Sequence, residues 1–467
     1  MNKRHLFIAF ALMANTLLAH AGGLMTNTNY HIAFDRMMAR GASMEIDAAY
    51  SNPAGLAWGY DGFQMSLDFQ KPWQNRDITL GDTKYDGKAS APIVPALFAS
   101  YKKGRWALST MIGIVGSGGF VKYDKGVPMF NVLINKTITD LTGGLSSVTG
   151  GAIPPITPDQ YTIDAEMKGK QYIYGGQLNF TYKLIDCLSA AVGVRANYYD
   201  GYYRGHVITG NHATKGTLAK LLLDVDQKGW GFTPMVSADF HKGPLTLSAR
   251  YEFRTKVNPK NDTNVLETGL NTDEMVTNPL TQLVMAGAIT VDQASAIGQG
   301  IQQKLGGGFS DYTAPYEDGV RTRYDMPALL SVAAGYEFTP KLRATLEYHF
   351  FDDKNAKMGG DRQKELTHGT HEFLAGVEYD INDKFTVSCG GQRTDYGLSD
   401  GYQQNTSFAC DSYSVGLGGA WNISDKLRLN AGYFITIYSD YEKQTSYGTE
   451  TYSRTNNVIG LGIDYKF

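Results

Sequence analysis

Cysteine is almost missing from this chain, with 3 in 467 residues. A disulfide framework is therefore excluded as the main source of stability. Long apolar runs are missing too. Past residue 21 there is no uninterrupted stretch of about 18 apolar residues, which excludes helical membrane spans. Excess charge of either sign is absent: 43 basic residues face 46 acidic ones, a net of −3. That balance argues against nucleic acid as a partner. The His-Glu-x-x-His pattern and the phosphate-binding loop are absent, and the chain reads as a non-enzyme that calls for no cofactor. His368 and His371, in "HGTH", are read as an exposed loop pair rather than a metal site.

What is present is glycine (53), tyrosine (30) and phenylalanine (21). Aromatics suit the interfacial girdles of a membrane barrel, and glycine suits sharp bends in strands. The chain opens with MNKRHLFIAFALMANTLLAHA. Lys3 and Arg4 precede an apolar stretch from Leu6 to Leu18, and Ala19-His20-Ala21 fits the small-x-small cleavage rule. Residues 1–21 are expected to be a signal peptide, leaving an exported chain from Gly22. Without Lys3 and Arg4 the net charge of −3 becomes −5.

The dominant pattern is strict alternation. In "KLRATLEYHF", Leu342, Ala344, Leu346, Tyr348 and Phe350 share one face, and Arg343, Thr345, Glu347 and His349 share the other. "PLTLSARYEFR" and "KLRLNAGYFITIY" alternate in the same way. Period two means strand. These strands run to about ten residues or more, whereas soluble strands average nearer five or six. Short turns such as "YEFTPKL", "YDINDKF" and "WNISDKL" alternate with long polar loops at 353–368, 395–409 and 440–454. Short turns on one side and long loops on the other is the outer-membrane barrel arrangement. Strands are expected near 62–71, 93–103, 105–115, 169–184, 187–204, 218–241, 244–257, 327–339, 341–352, 369–382, 384–395, 410–423, 425–439 and 455–467. The stretch 205–229 reads as mixed strand and loop. About fourteen strands, an even number, places both ends in the periplasm. The closing "VIGLGIDYKF" ends on Phe467, in phase with Tyr465, Ile463, Leu461 and Ile459.

Two long loops, 116–168 and 258–325, carry helix-like stretches. In the second, Leu280, Leu283, Val284, Ala288, Val291, Ala294 and Ile297 recur at helical spacing. Such segments either pack on each other as a cap or offer an apolar docking surface. Cys389 is in phase with Phe385 and Val387, while Cys410 is out of phase with Tyr413, Val415 and Leu417. Opposed residues of a hairpin share a face, so no bridge is expected unless a bulge intervenes. The inward charges Arg195, Arg250, Glu252, Arg254, Arg343 and Glu347 form either a network of their own or, with Arg195 as candidate, a partner for a ligand carboxylate.

About forty residues precede the first strand. "GASMEIDAAYSNPAGLAWG" resembles the N-terminal hatch of the long-chain fatty acid transporter (FadL/TodX) family of outer-membrane proteins, through Gly41-Ala42, Asp47-Ala48 and Asn52-Pro53-Ala54-Gly55-Leu56. "MPALLSVAAGYEFTPKLRATLEYHF", "HEFLAGVEYDINDKFTVSCGGQRTDYGLSD" and "SYSVGLGGAWNISDKLRLNAGYF" resemble its later strand pairs. The resemblance implies a monomeric fourteen-stranded transmembrane antiparallel β-barrel (61–467) whose lumen is closed by a hatch (22–60). It also implies hydrophobic substrates that leave sideways through an inward kink of the third strand. Here that strand holds Gly113, Gly116, Gly118 and Gly119, which mark either the kink or the start of a flexible loop. The chain departs from the family in one respect. The helical insertion expected between the fifth and sixth strands is weak, and a comparable one lies between the third and fourth.

The expected function is passive transport of a hydrophobic small molecule across the bacterial outer membrane, among its lipids: long-chain fatty acid first, aromatic hydrocarbon second. A general porin and a surface adhesin or receptor are the alternatives, and a plug-like N-terminus weighs against the porin. Expected lining residues are Phe34, Met37, Met38, Met44 and Tyr50 from the hatch, and Ile114, Val115 and Phe120 from the third strand. Met adapts to irregular apolar shapes, and Phe adds area.

Overall fold

The computed structural model describes residues 22–91, 93–305 and 313–467; the expected leader, 1–21, lies outside them. Eighteen strand segments form one sheet: β1 (Gly62–Leu80), β2 (Thr83–Tyr85), β3 (Gly87–Ser90), β4 (Val94–Lys103), β5 (Trp106–Tyr123), β6 (Tyr161–Ile185), β7 (Leu188–Asn211), β8 (Thr217–Lys242), β9 (Leu245–Glu252), β10 (Lys260–Leu270), β11 (Leu329–Thr339), β12 (Leu342–Phe351), β13 (Thr370–Asp380), β14 (Phe385–Asp395), β15 (Ser412–Asn422), β16 (Leu427–Tyr438), β17 (Tyr441–Thr445) and β18 (Gly448–Lys466). Successive neighbours pair antiparallel, and β1 closes on β18 from Gln64↔Lys466 to Leu80↔Glu450. β2, β3 and β4 all pair with β1 as one broken stave. β9 and β10 both pair with β8, and β16 and β17 both pair with β18. The wall is thus a closed barrel of fourteen staves.

Each expected strand is present, but several are longer. β1 runs to Leu80 rather than 71, and β5 to Tyr123 rather than 115. The mixed stretch 205–229 is a hairpin of two continuous strands, β7 and β8, turning at 212–216. Alternation of apolar and polar residues marks a strand only where lipid lies on one side. Beyond the hydrocarbon the ladder continues on hydrogen bonds alone, and the sequence signal fades. For the same reason the loop expected at 116–168 is only 124–160. Within 258–325, β10 is strand, and 440–454 contains the β17–β18 turn.

The alternation sorts the two faces. On β12, Leu346 is 66% exposed on the outside while Glu347, one residue on, is 7% exposed inside. Phe63, Leu67, Phe69 and Trp73 of β1, and Ile459, Leu461 and Ile463 of β18, are exposed on the same outer surface. At about 25 cal/mol per Å² such a girdle is stable against hydrocarbon, not water. The three cysteines are free: Cys389 is exposed and Cys410 buried, on opposite sides as their phases required.

Helix α3 (Pro128–Val148; α1, Ile32–Met37, and α2, Ala48–Ser51, belong to the N-terminal segment) follows β5. It starts on a proline that needs no N–H bond in its first turn and ends before Gly150 and Gly151, both at positive φ. Helices α4 (Asn278–Met285) and α5 (Val291–Leu305) follow β10. Phe130, Ile134, Ile138, Leu141 and Leu145 of α3 share one buried cluster with Met275, Val276, Leu280 and Ile301. The helices therefore pack on each other and on the strand ends as a cap. The expected stripe breaks at the α4–α5 turn, where Ala288 and Val291 are exposed.

Candidate functional site

Residues 22–57 lie inside the barrel, nearly all of them buried against its wall. They contain helix α1 (Ile32–Met37), helix α2 (Ala48–Ser51) and a 3₁₀ turn at Pro53–Ala57. His31 stands at the N-terminal end of α1, its Nδ1 3.0 Å from Ala33 N. The Asn-Pro-Ala-Gly stretch is an anchor. Asn52 Nδ2 donates to Asp239 Oδ2 (2.6 Å) and Ser43 O (3.1 Å), and Asn52 Oδ1 accepts from Gly55 N (3.3 Å). Pro53 O accepts from Thr181, and Ala54 exchanges bonds with Ser189 and Ser237. These side chains belong to β6, β7 and β8, so the motif ties the segment to three adjacent staves. On the opposite side α1 lies against β13–β16 and β18. A Cβ at Gly390 would stand 1.7 Å from Met37 O, so only glycine admits the helix there.

The third stave is irregular near its glycines. β5 pairs with β6 in register to Ile114↔Tyr174, then shifts at Gly116 and again before Gly119. On its other edge β4 pairing ends at Leu97↔Ile112, and β3 resumes only at Ser90↔Phe120. Among the described residues the backbone between has no ladder partner on that edge, and the N-terminal segment takes the Ile114 and Val115 carbonyls. Val115 O accepts from Asn27 N (3.1 Å) and Tyr30 OH (3.1 Å), and Ile114 O accepts from Asn27 Nδ2 (3.2 Å). Between Asn27, Tyr30, Gln70, Val94, Pro95 and Ile114 remains a crevice of about 10 Å³, at the lower limit for one water. A Cβ at Gly116 would meet Met25 O at 2.4 Å. Gly113 and Gly119 lie in the same strand on either side of these shifts, with Gly118 beside Gly119.

The expected lining residues are divided among several places. Tyr50 and Val115 join one buried cluster with Leu24, Met25 and Tyr30, and the Tyr50 and Tyr30 rings meet edge-on at 4.4 Å. Ile114 lines the crevice, and Phe120 is half-buried where β3 pairing resumes. Phe34 instead packs on Ala39 and Leu374, and Met38 on Phe434 and Val458, on the far side of the lumen. Met37 sits over Gly376 and Gly390. Met44 borders a separate hollow of about 210 Å³ with Glu45, Pro244, Tyr336 and Arg343. The eight therefore do not form one pocket. Helix α1 turns its apolar side chains to the wall because the glycines there leave room for them.

Arg195 is already engaged. It bonds to Glu252, Asn197 Oδ1 (3.1 Å) and Gln177 Oε1 (3.3 Å), and Glu252 also pairs with Arg250 (2.9 Å). Arg343 pairs with Glu378 and Asp380, and Glu347 with His349. Arg195, Arg250, Glu252, Arg343 and Glu347 are each paired inside the lumen, and each guanidinium nitrogen of Arg195 already has a partner; Arg254, expected to face inward, is exposed and donates to Asn355 O (2.6 Å). Within the segment, burial opposes the charge on His31, but Asp68 and Asp464 outweigh it and push its pKa up to about 9. Gly22 N donates to the buried Glu372 (3.0 Å).

Sequence reasoning missed the groups that hold the third stave, Met25, Asn27 and Tyr30. Nothing in "GLMTNTNY" marks them. It also missed a tyrosine column above: Tyr199 stacks on Tyr324 at 5.7 Å, and Tyr203 meets Tyr316 edge-on at 6.4 Å. Here a signal existed, since "NYYDGYYRG" puts Tyr199 and Tyr203 in one phase. The spelling Gly-x-Ser-x-Gly does occur at 397–401, but in the loop after β14. Ser399 Oγ donates there to Glu365 O (2.6 Å), without the strand–turn–helix elbow that activates such a serine. His368 lies 3.7 Å from Asp395, and His371 bonds Tyr348 OH (2.7 Å).

Residues 281–467 match the family model described as the outer membrane protein β-barrel domain. Among solved structures, a FadL homologue of Pseudomonas aeruginosa superposes with a TM-score of 0.64 at 15% identity, covering 96% of this chain and 100% of that one. The toluene transporter TodX of P. putida gives 0.53 at 12% identity, and the toluene transporter TbuX of Ralstonia pickettii 0.51 at 13%; each covers 90% of this chain and 94% of the other. No curated protein sequence matches. The fold is thus that of the FadL homologue and the toluene transporters.

Proposed function

We propose that this chain is a monomeric passive channel of the bacterial outer membrane for hydrophobic compounds, long-chain fatty acids first, with sideways release at the third stave. The observation that carries this reading is the stretch of β5 around Gly116. Among the described residues it has no ladder partner towards β3 and β4, and the luminal segment takes its carbonyls. An aqueous exit would re-expose an acyl chain at about 0.8 kcal/mol per methylene, whereas a gap in the wall delivers it to lipid. Fold likeness to toluene transporters keeps aromatic hydrocarbons as the second substrate class. The filled lumen disfavours a general porin. Cleavage after Ala21 would leave the Gly22 ammonium at Glu372, an ion pair that holds the plug's first residue.

The test closes the gap. Val94→Cys and Ile114→Cys, in a background lacking the three native cysteines, place thiols on the two sides of the crevice. Oxidation should cut uptake of a labelled long-chain fatty acid about tenfold or more, and reduction should restore it. Uptake at the wild-type rate in the cross-linked barrel overturns sideways release at this place.

A further inference from the structure

Two arginines of the upper interior lack an anionic partner among the described residues. Arg76 on β1 and Arg454 on β18 are direct cross-strand partners, and they are 2% and 5% exposed. Among the described residues neither has a carboxylate oxygen within 4.0 Å, whereas Arg36, Arg40, Arg195, Arg250 and Arg343 each do. Among the described residues none of the three guanidinium nitrogens of Arg454 has a hydrogen-bond partner; the Tyr438 ring lies 4.6 Å from its centre. Arg76 donates to the Phe408 carbonyl (2.7 Å) and packs on that ring at 4.5 Å, but its Nη1 has no partner. Cys410 is no counter-ion, because burial pushes its thiol up to about 12.

Like charges directly opposed on a ladder repel, and a buried charge without a partner is strongly unfavourable. Such a pair persists in a fold when something else supplies the negative charge. We propose that Arg76 and Arg454 receive the carboxylate of an amphipathic ligand, with its tail in the apolar cluster that runs from Ile78 and Tyr123 to Met25. The proposal rests on the transport reading and narrows its substrate to anionic amphiphiles, since a neutral hydrocarbon leaves the pair uncompensated. Two guanidinium groups side by side suit the two oxygens of a carboxylate. Phe408, in the irregular loop between β14 and β15, covers Arg76 and is the group the ligand head displaces.

Titration calorimetry on the purified full chain in maltoside micelles, at pH 8, compares palmitate with hexadecan-1-ol, which keeps the tail and loses the charge. Palmitate should bind about tenfold tighter or more, the effect of one charge-assisted bond. Arg454→Gln and Arg76→Gln should each remove most of that preference, while Arg454→Lys retains part of it. Heat-modifiable gel migration reports whether each variant is a folded barrel. Equal affinity of the wild type for both ligands overturns the anion site, whether or not the variants fold. So does a preference that survives in folded Gln variants. If neither ligand binds the folded wild type, the transport reading itself falls.

Discussion

At the residue scale, His31 shows how the luminal segment is held by charge. Its imidazolium stands 3.7 Å from Asp68 and 3.3 Å from Asp464, one carboxylate from each of the two staves that close the barrel. Its folded pKa of about 9 lies above the ordinary value of 6.5. A raised pKa contributes stability that is fully present below pH 6.5 and is lost as pH rises through 9. The thermal midpoint of the protein in detergent should therefore fall between pH 6.5 and 9.5, and His31→Gln should flatten that part of the profile. Equal slopes in the two proteins would remove His31 from the account. The residue scale also shows where sequence reading fails. Phe34 and Met38 are apolar, as a ligand pocket requires, but so is any side chain that packs on a wall.

At the scale of elements, β5 is the informative one. Its glycines were legible as a break in the strand; which edge opens was not. That depends on β2–β4: among the described residues β5 has no ladder partner on that edge between Ile112 and Phe120, whereas β6 pairing continues with shifts. Gly116→Val puts side-chain atoms where Met25 O stands, so the strand and the segment must move apart. We expect a loss of about 1–3 kcal/mol, typical of an overpacked interior. Faster hydrogen exchange at the Asn27 amide, which the Val115 carbonyl now protects, checks it. The cap helices follow a simpler rule. Their apolar spacing announced helices, but whether they met each other or a ligand depended on α3 arriving from a distant loop.

At the scale of the whole molecule, barrel and plug depend on each other. Asp239, Glu347 and Glu378 face inward and take their bonds from Asn52, Trp58, the amides of Arg40 and Gly41, and Arg36. Deleting residues 22–58 should open a polar lumen. Single-channel conductance in planar bilayers should rise severalfold, and the deletion variant should unfold at lower temperature because buried carboxylates lose their partners. Unchanged conductance would mean that the segment does not block the channel.

The sequence by itself determined the wall. Period-two alternation is a local property: each residue faces lipid or lumen according to its parity, so fourteen strands, their facing and the separation of Cys389 from Cys410 could be read without a third dimension. It also determined that Asn52–Gly55 makes a tight turn, because proline and glycine restrict or permit backbone locally. Tertiary structure alone decided what lies against what. The orphaned carbonyls of Ile114 and Val115, the Asn27 and Tyr30 groups that take them, the occupied state of Arg195 and the unpaired state of Arg76 and Arg454 all involve residues far apart in the chain. Alternation fixes which way a side chain points, but its partner across the lumen is set by closure of the barrel, which no local pattern records.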